Sequence, residues 1–222
     1  MRLVLFDIDG TLIDSGGAGT RSLNLAFEKV FSIENAFNGI SMAGKTDTQI
    51  MKEALVKHGI STDGNLSSVI DTYLRHLREE INNNRKHAKP GVHEILEELS
   101  LMRNVGLGLL TGNLEPGARI KLEPFNLNKY FPAGAFGSDD EDRNRLLPIA
   151  IKRFEELYKR KMRADECMVI GDTPRDVHCA KIYGAKCIGV ATGPYPIDAL
   201  IEAGAEHVFK DLSDYHNFLQ LL

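Results

Sequence analysis

Short apolar runs closed by turn-forming or acidic residues recur along the chain, at Leu3–Ile8, Val105–Leu110, Ala133–Phe136, Cys167–Ile170, Lys186–Val190 and His207–Phe209. Being apolar at consecutive rather than alternate positions, such runs predict strands buried on both faces. Between the first two runs only helical spacing occurs. Leu23, Ala26, Phe27, Val30 and Phe31 follow i, i+3, i+4, i+7, i+8, and Leu66, Val69, Ile70, Tyr73, Leu74, Leu77 and Ile81 continue the rule. A further helix is expected over 46–58.

After "KHAKPG" the pattern changes. Val92, Ile95, Leu96, Leu99 and Met102 make an amphipathic helix leading into "NVGLGLLTGN", and from there strands and helices alternate. That alternation predicts an α/β fold, a parallel sheet covered by helices on both faces. The division that follows is a core of residues 1–15 and 88–222 with an all-helical insert over 16–87. Ser15-Gly16-Gly17 and Pro90-Gly91 flank the insert and are expected to act as its hinges.

Composition narrows the function more than the fold. The 27 basic and 31 acidic residues form no single-sign block, which argues against a nucleic-acid partner. The opening "MRLVLFDIDG" meets two acids too early for a secretion signal, and no stretch reaches the roughly 18 apolar residues of a membrane span. A cytoplasmic protein without a membrane partner, monomer or homodimer, is expected. Cys167, Cys179 and Cys187 lack C-x-x-C spacing and read as reduced core thiols. His87, His93 and His178 form no metal set.

The chemistry gathers at the predicted strand ends. "LVLFDIDGTL" ends its strand in Asp7 and Asp9, two carboxylates expected on one side of an extended chain and in need of a cation or proton between them. "GLLTGN" places the Thr111 hydroxyl and the Gly112 and Asn113 amides at a second strand end, suited to phosphate oxygens. "MVIGDTPRD" adds Asp172 and Asp176 on the loop after a fourth. In an open α/β sheet these ends are where a ligand site is expected. Asp7, Asp9, Asp172 and Asp176 offer hard oxygens without His or Cys, which suits Mg²⁺.

In this order and spacing, "FDIDGTL", "LLTGN" and "VIGDTPRD" resemble three of the four motifs of the haloacid dehalogenase superfamily, and the helical insert resembles its C1 cap. The resemblance, to the phosphoglycolate-phosphatase-like and β-phosphoglucomutase-like branch, implies a Rossmann-like doubly wound core and a Mg²⁺-dependent phosphatase acting on a small phosphate monoester. It implies that Asp7 attacks phosphorus to give an aspartyl-phosphate, and that Asp9 protonates the leaving oxygen and then activates water. Asp7, the Asp9 carbonyl and Asp172 would hold Mg²⁺ with Asp176 in support, and Thr111 would bind phosphate. Superfamily members that act on other bonds lack an acid at the position of Asp9, so its presence argues for phosphoryl transfer. A phosphosugar mutase and an inactive metal-binding regulatory module are the alternatives.

The chain departs from the resemblance at the third motif, which usually offers a lysine. "FGSDDEDRNRLLPIAIKRF" has none in the matching place, so an arginine must serve. Arg145 has the spacing to Pro148 seen in relatives; Arg143 lies nearer the preceding strand and is preferred, and its removal is expected to leave the fold intact. Finally, "GISMAGKT", residues 39–46, matches a nucleotide-binding P-loop letter for letter. No strand precedes it, so it is expected instead to open a cap helix with Thr46 or Asp47 as N-cap. Lys45 then becomes a candidate to meet the substrate's far, anionic end.

Overall fold

The computed structural model describes all 222 residues, Met1–Leu222. In chain order the elements are β1 (Arg2–Phe6), β2 (Ile13–Asp14), α1 (Ala18–Phe31), α2 (Asp47–Lys57), α3 (Asn65–Glu80), β3 (His87–Ala88), α4 (Val92–Leu101) and β4 (Val105–Thr111). There follow α5 (Glu115–Leu122), β5 (Gly134–Phe136), α6 (Leu146–Tyr158), β6 (Cys167–Gly171), α7 (Pro174–Lys181), β7 (Lys186–Val190), α8 (Ile197–Ala203), β8 (His207–Phe209) and α9 (Tyr215–Leu219).

Six strands form one parallel sheet in the order β5-β4-β1-β6-β7-β8. Counted along the core alone this is 3-2-1-4-5-6, the doubly wound order whose switch point lies beside the first strand. The consecutive apolar residues of β1 serve both layers. Val4 and Phe6 join the apolar cluster that includes Val92, Ile95 and Leu96 of α4, whereas Leu3 and Leu5 join Leu147, Ala150 and Phe154 of α6. A strand covered on both faces must be apolar at every position, which is why no alternation marks it.

The helices α1, α2 and α3 build a separate apolar cluster that includes Phe27, Met51, Leu55, Val69 and Tyr73. Phe27 sits edge-on to Phe31 and Phe37 at ring separations of 5.4 and 4.8 Å, pairs that contribute about 0.5–1.5 kcal/mol each beyond their burial. Thr46 caps α2, its Oγ1 accepting from Gln49 N at 3.1 Å. "GISMAGKT" therefore follows a helix and turns, and the P-loop reading fails because no buried strand delivers the loop to the helix. Both chain crossings between sheet and helices run through a two-stranded antiparallel ribbon, Ile13 opposite Ala88 and Asp14 opposite His87. With two residues per strand, the ribbon is too short for any periodicity to reveal.

The expected hinge glycines are packed tightly. Gly91 (φ +80°) lies so near the backbone of Leu212 that an added side-chain carbon would stand 2.0 Å from the Leu212 carbonyl carbon, and Leu212 N donates to Pro90 O at 3.1 Å. Gly16 is likewise closed in by Asn83. Small size at these positions serves close approach. Gly91→Ala is expected to cost at least about 2 kcal/mol in thermal or denaturant unfolding. Gly59→Ala, also at positive φ but with open space around it, should cost roughly 1 kcal/mol.

Candidate active site

β1 ends two residues earlier than its apolar run predicts. Asp7 N still donates to Ile170 O at 2.9 Å, but the Ile8 carbonyl accepts from Leu12 N and Ile13 N at 2.9 and 3.0 Å, so the chain turns at once. The Asp7 carboxylate meets Arg143 and the Asp9 carboxylate meets Lys121, so each finds its own cation. This corrects the expectation of one cation shared between them.

Asp7, Asp172 and Asp176 bring carboxylate oxygens within 4.8 Å of one another. Arg143 Nη2 lies 3.1 Å from Asp7 Oδ1 and also pairs with Asp176 Oδ1. Thr173, capping α7, donates its N and Oγ1 to Asp176 Oδ2 at 3.0 and 2.8 Å, and Thr11 Oγ1 donates to Asp172 Oδ1 at 3.0 Å. Three buried acids thus face one guanidinium. Burial pushes the Asp7 carboxyl up to about 6, Arg143 opposing and the Asp176 and Asp9 charges adding to the rise. Asp172 is held well above the usual carboxylate range by burial and by the charges of Asp176 and Asp7. An excess of negative charge on hard oxygens is a donor set able to hold a metal ion.

Asp9 turns to the other side. Lys121 Nζ donates to its Oδ2 at 2.6 Å and Asn113 Nδ2 to the same oxygen at 2.9 Å. Enclosure raises the Asp9 carboxyl, but the Lys121 charge and these hydrogen bonds outweigh it and hold the group below its ordinary range. Among the carboxylates expected to surround a metal, Asp9 is therefore the one whose side chain stands outside the acid cluster. Lys121 was not foreseen from the sequence. Its signal is that it falls on the buried stripe of α5 with Gly117, Ala118 and Leu122, where a charged residue needs a buried partner.

A cavity of about 490 Å³ lies between these strand ends and the helices, lined by Asp7, Asp9, Thr111, Lys121, Arg143 and Asp172 on the sheet side and by Thr20, Met42, Lys45 and Tyr73 on the helical side. The helices are seated by α2. Asp47 N donates to Gly112 O at 2.7 Å, Leu114 N to Asp47 Oδ2 at 3.0 Å, and Thr46 and Thr48 donate to the carbonyls of Glu141 and Gly137, both at 2.8 Å. Only glycine fits at position 112, where an added carbon would stand 2.1 Å from Lys45 O.

The remaining candidate residues divide. Thr111 lines the cavity with Asp7, and Asn113 N turns inward to Thr111 Oγ1 at 3.3 Å rather than standing open to a phosphate. Lys45 lines the cavity, but its Nζ bonds both oxygens of Glu53 at 2.8 and 2.6 Å. Arg145 is corrected: its side chain is 69% exposed and faces Asp140 at 3.6 Å, because the 143–145 segment forms a 3₁₀ turn in which residues two apart point in widely different directions. The three cysteines are free and buried, and burial pushes the Cys167 thiol up to about 12. No helix is long and apolar enough to cross a membrane.

Fold and site define an α/β enzyme with buried acids gathered at the switch point of its sheet. The sequence profile of the haloacid dehalogenase-like hydrolases matches residues 4–190, and the chain belongs to that family; it is a phosphatase of the family. It is 24% identical to a protein named as the pyrophosphatase PpaX of Caldanaerobacter subterraneus, over 94% of this chain and 90% of that one. It is 23% identical to a phosphoglycolate phosphatase of Vibrio parahaemolyticus, over 96% of this chain and 94% of the relative. A solved hydrolase from Pseudomonas syringae superposes with a TM-score of 0.73 at 25% identity, covering 100% of this chain and 99% of its own.

Proposed function

We propose that the protein hydrolyses a small phosphate monoester through an aspartyl-phosphate on Asp7, with Mg²⁺ held by Asp7, the Asp9 carbonyl and Asp172 and supported by Asp176. The observation that carries this reading is the gathering of Asp7, Asp172 and Asp176 within 4.8 Å, with Arg143 beside Asp7, at the wall of the cavity between the sheet and the helices. When bound, the ion offsets the repulsion between a carboxylate and a phosphate dianion. An Asp7 oxygen bonds to phosphorus as the ester P–O bond breaks, and Asp9 gives its proton to the departing oxygen. After the alcohol leaves, Asp9 takes a proton from water as that water attacks phosphorus, and phosphate departs from Asp7. Arg143 bridges Asp7 and a phosphate oxygen, and Thr111 and the Gly112 amide hold the phosphate.

Residues 16–87 act in this reading as a cap that excludes water. The first substrate to try is phosphoglycolate, followed by pyrophosphate, after the names of the relatives. Free phosphate released from a panel of monoesters with Mg²⁺ and lost with EDTA is the expected result. Transfer between positions of a sugar phosphate primed by a bisphosphate would make the protein a mutase, and release from no ester would overturn the reading. Lys45 meets the substrate's far end only by exchanging Glu53 for it. Lys45→Ala is accordingly expected to raise KM more than it lowers kcat, measured on the best ester of the panel.

A further inference from the structure

Lys121 is a charged group of this cavity that the reaction above leaves without a task. It is 4% exposed, and its ammonium meets Asp9 Oδ2 at 2.6 Å and Asn113 Oδ1 at 2.5 Å. Asn113 in turn donates its Nδ2 to Asp9 Oδ2 at 2.9 Å, so lysine, asparagine and aspartate close a ring. Both donors end on one oxygen. The Asp9 side chain nevertheless remains 41% exposed on the wall of the cavity.

A carboxyl group that passes a proton to a leaving oxygen and later takes one from water must present an oxygen to the substrate in both half-reactions. Free rotation about the Asp9 side chain would exchange its two oxygens and spread the proton over several directions. Two donors fixed to Oδ2 prevent this, because turning the group would break both bonds in an enclosed site where unpaired charges are costly. On the helical side Gly19 faces the ring, where an added side-chain carbon would stand 3.4 Å from Lys121 Nζ, an ordinary contact distance.

We propose that Lys121, with Asn113, is a positioning residue that clamps Asp9 by Oδ2 and reserves Oδ1 for proton transfer to and from the substrate. The proposal rests on the reading of Asp9 as the proton donor. It makes Lys121 matter most where the leaving oxygen needs its proton most, namely for poorly activated esters. A lysine that merely neutralises buried acids would instead affect all esters alike.

The test is a series of substituted phenyl phosphates of similar size, from the activated 4-nitrophenyl ester to the 4-methylphenyl ester, with Mg²⁺ present. The quantity compared is kcat/KM, which reports steps through departure of the phenol and is blind to later hydrolysis of the aspartyl-phosphate. Asp9→Asn tests the underlying reading and is expected to lose on the order of 10²-fold or more of its preference-corrected rate on the poor leaving group. Lys121→Met is expected to follow in the same direction, with the ratio of the 4-methyl to the 4-nitro ester falling roughly tenfold. If Asp9→Asn shows no leaving-group dependence, the reading of Asp9 fails. If Asp9→Asn shows it and Lys121→Met lowers both esters equally, the clamp is refuted while the reading stands. Should Lys121→Met not fold, Asn113→Ala removes the other donor and keeps the Lys121–Asp9 pair; the same steepening is expected, and equal losses would refute the clamp.

Discussion

Asp7→Asn is expected to lower phosphate release on the order of 10⁴-fold or more, since in the proposed reaction Asp7 forms the covalent intermediate. A phosphate assay with Mg²⁺ at neutral pH measures it; residual turnover within tenfold of wild type would move the nucleophile elsewhere or leave the protein a metal-binding module. The same variant carries an expectation for stability. Burial raises the folded Asp7 carboxyl to about 6, above the roughly 3.9 of an unfolded chain. A group raised in this way favours the fold most below its unfolded value and loses that contribution as pH rises through its folded value. With EDTA at pH 8, ionised Asp7 therefore works against the fold, and Asp7→Asn should melt at or above the wild-type temperature. The difference should shrink as pH falls below about 6. Mg²⁺ should raise the melting temperature of wild type more than that of the variant.

Arg143→Ala has the second large effect, and here burial reverses an expectation drawn from the sequence. An arginine on a charged loop is removable without harm to the fold. Arg143, however, is 6% exposed and is the cation that meets both Asp7 and Asp176. Removing it strands two buried carboxylates, at a cost of about 3–5 kcal/mol, or roughly 10 °C in melting temperature for a chain of this size. Turnover should fall at least on the order of 10²-fold in whatever fraction folds. Arg143→Lys keeps the charge but not the planar fork that serves two acids at once. It should recover most of the stability and only part of the activity, read by thermal unfolding and by kcat on the same preparation. Wild-type kinetics in Arg143→Ala would leave the exposed Arg145 or another group to hold the phosphate.

Much of the fold was legible because its signals are local. Apolar runs such as Lys186–Val190 and His207–Phe209 match the strands residue for residue, and the 3.6-residue spacing around Phe27 and Tyr73 matches α1 and α3. The short ribbon of Ile13–Asp14 with His87–Ala88 was not legible, since its two halves are paired by the docking of the insert and carry no pattern of their own. The glycines read as hinges illustrate a second limit. Sequence shows that a residue is small, whereas the backbone of Leu212 beside Gly91 shows what its smallness is for.

By itself the sequence determined which acids and donors stand at the ends of parallel strands, because a buried run followed by a turn places them there whatever surrounds it. That reached Asp7, Thr111 and Asp172 on one rim. Only the tertiary structure decided which cation each acid meets. Arg143 and Arg145 are neighbours in sequence, yet a 3₁₀ turn sends one into the acid cluster and the other to solvent. Asp7 and Asp9 are two residues apart, yet the turn at Ile8 gives the first to Arg143 and the second to Lys121, 112 positions along the chain. Ion pairing depends on distances of a few ångströms between side chains brought together by packing, and those distances have no representation in the order of residues.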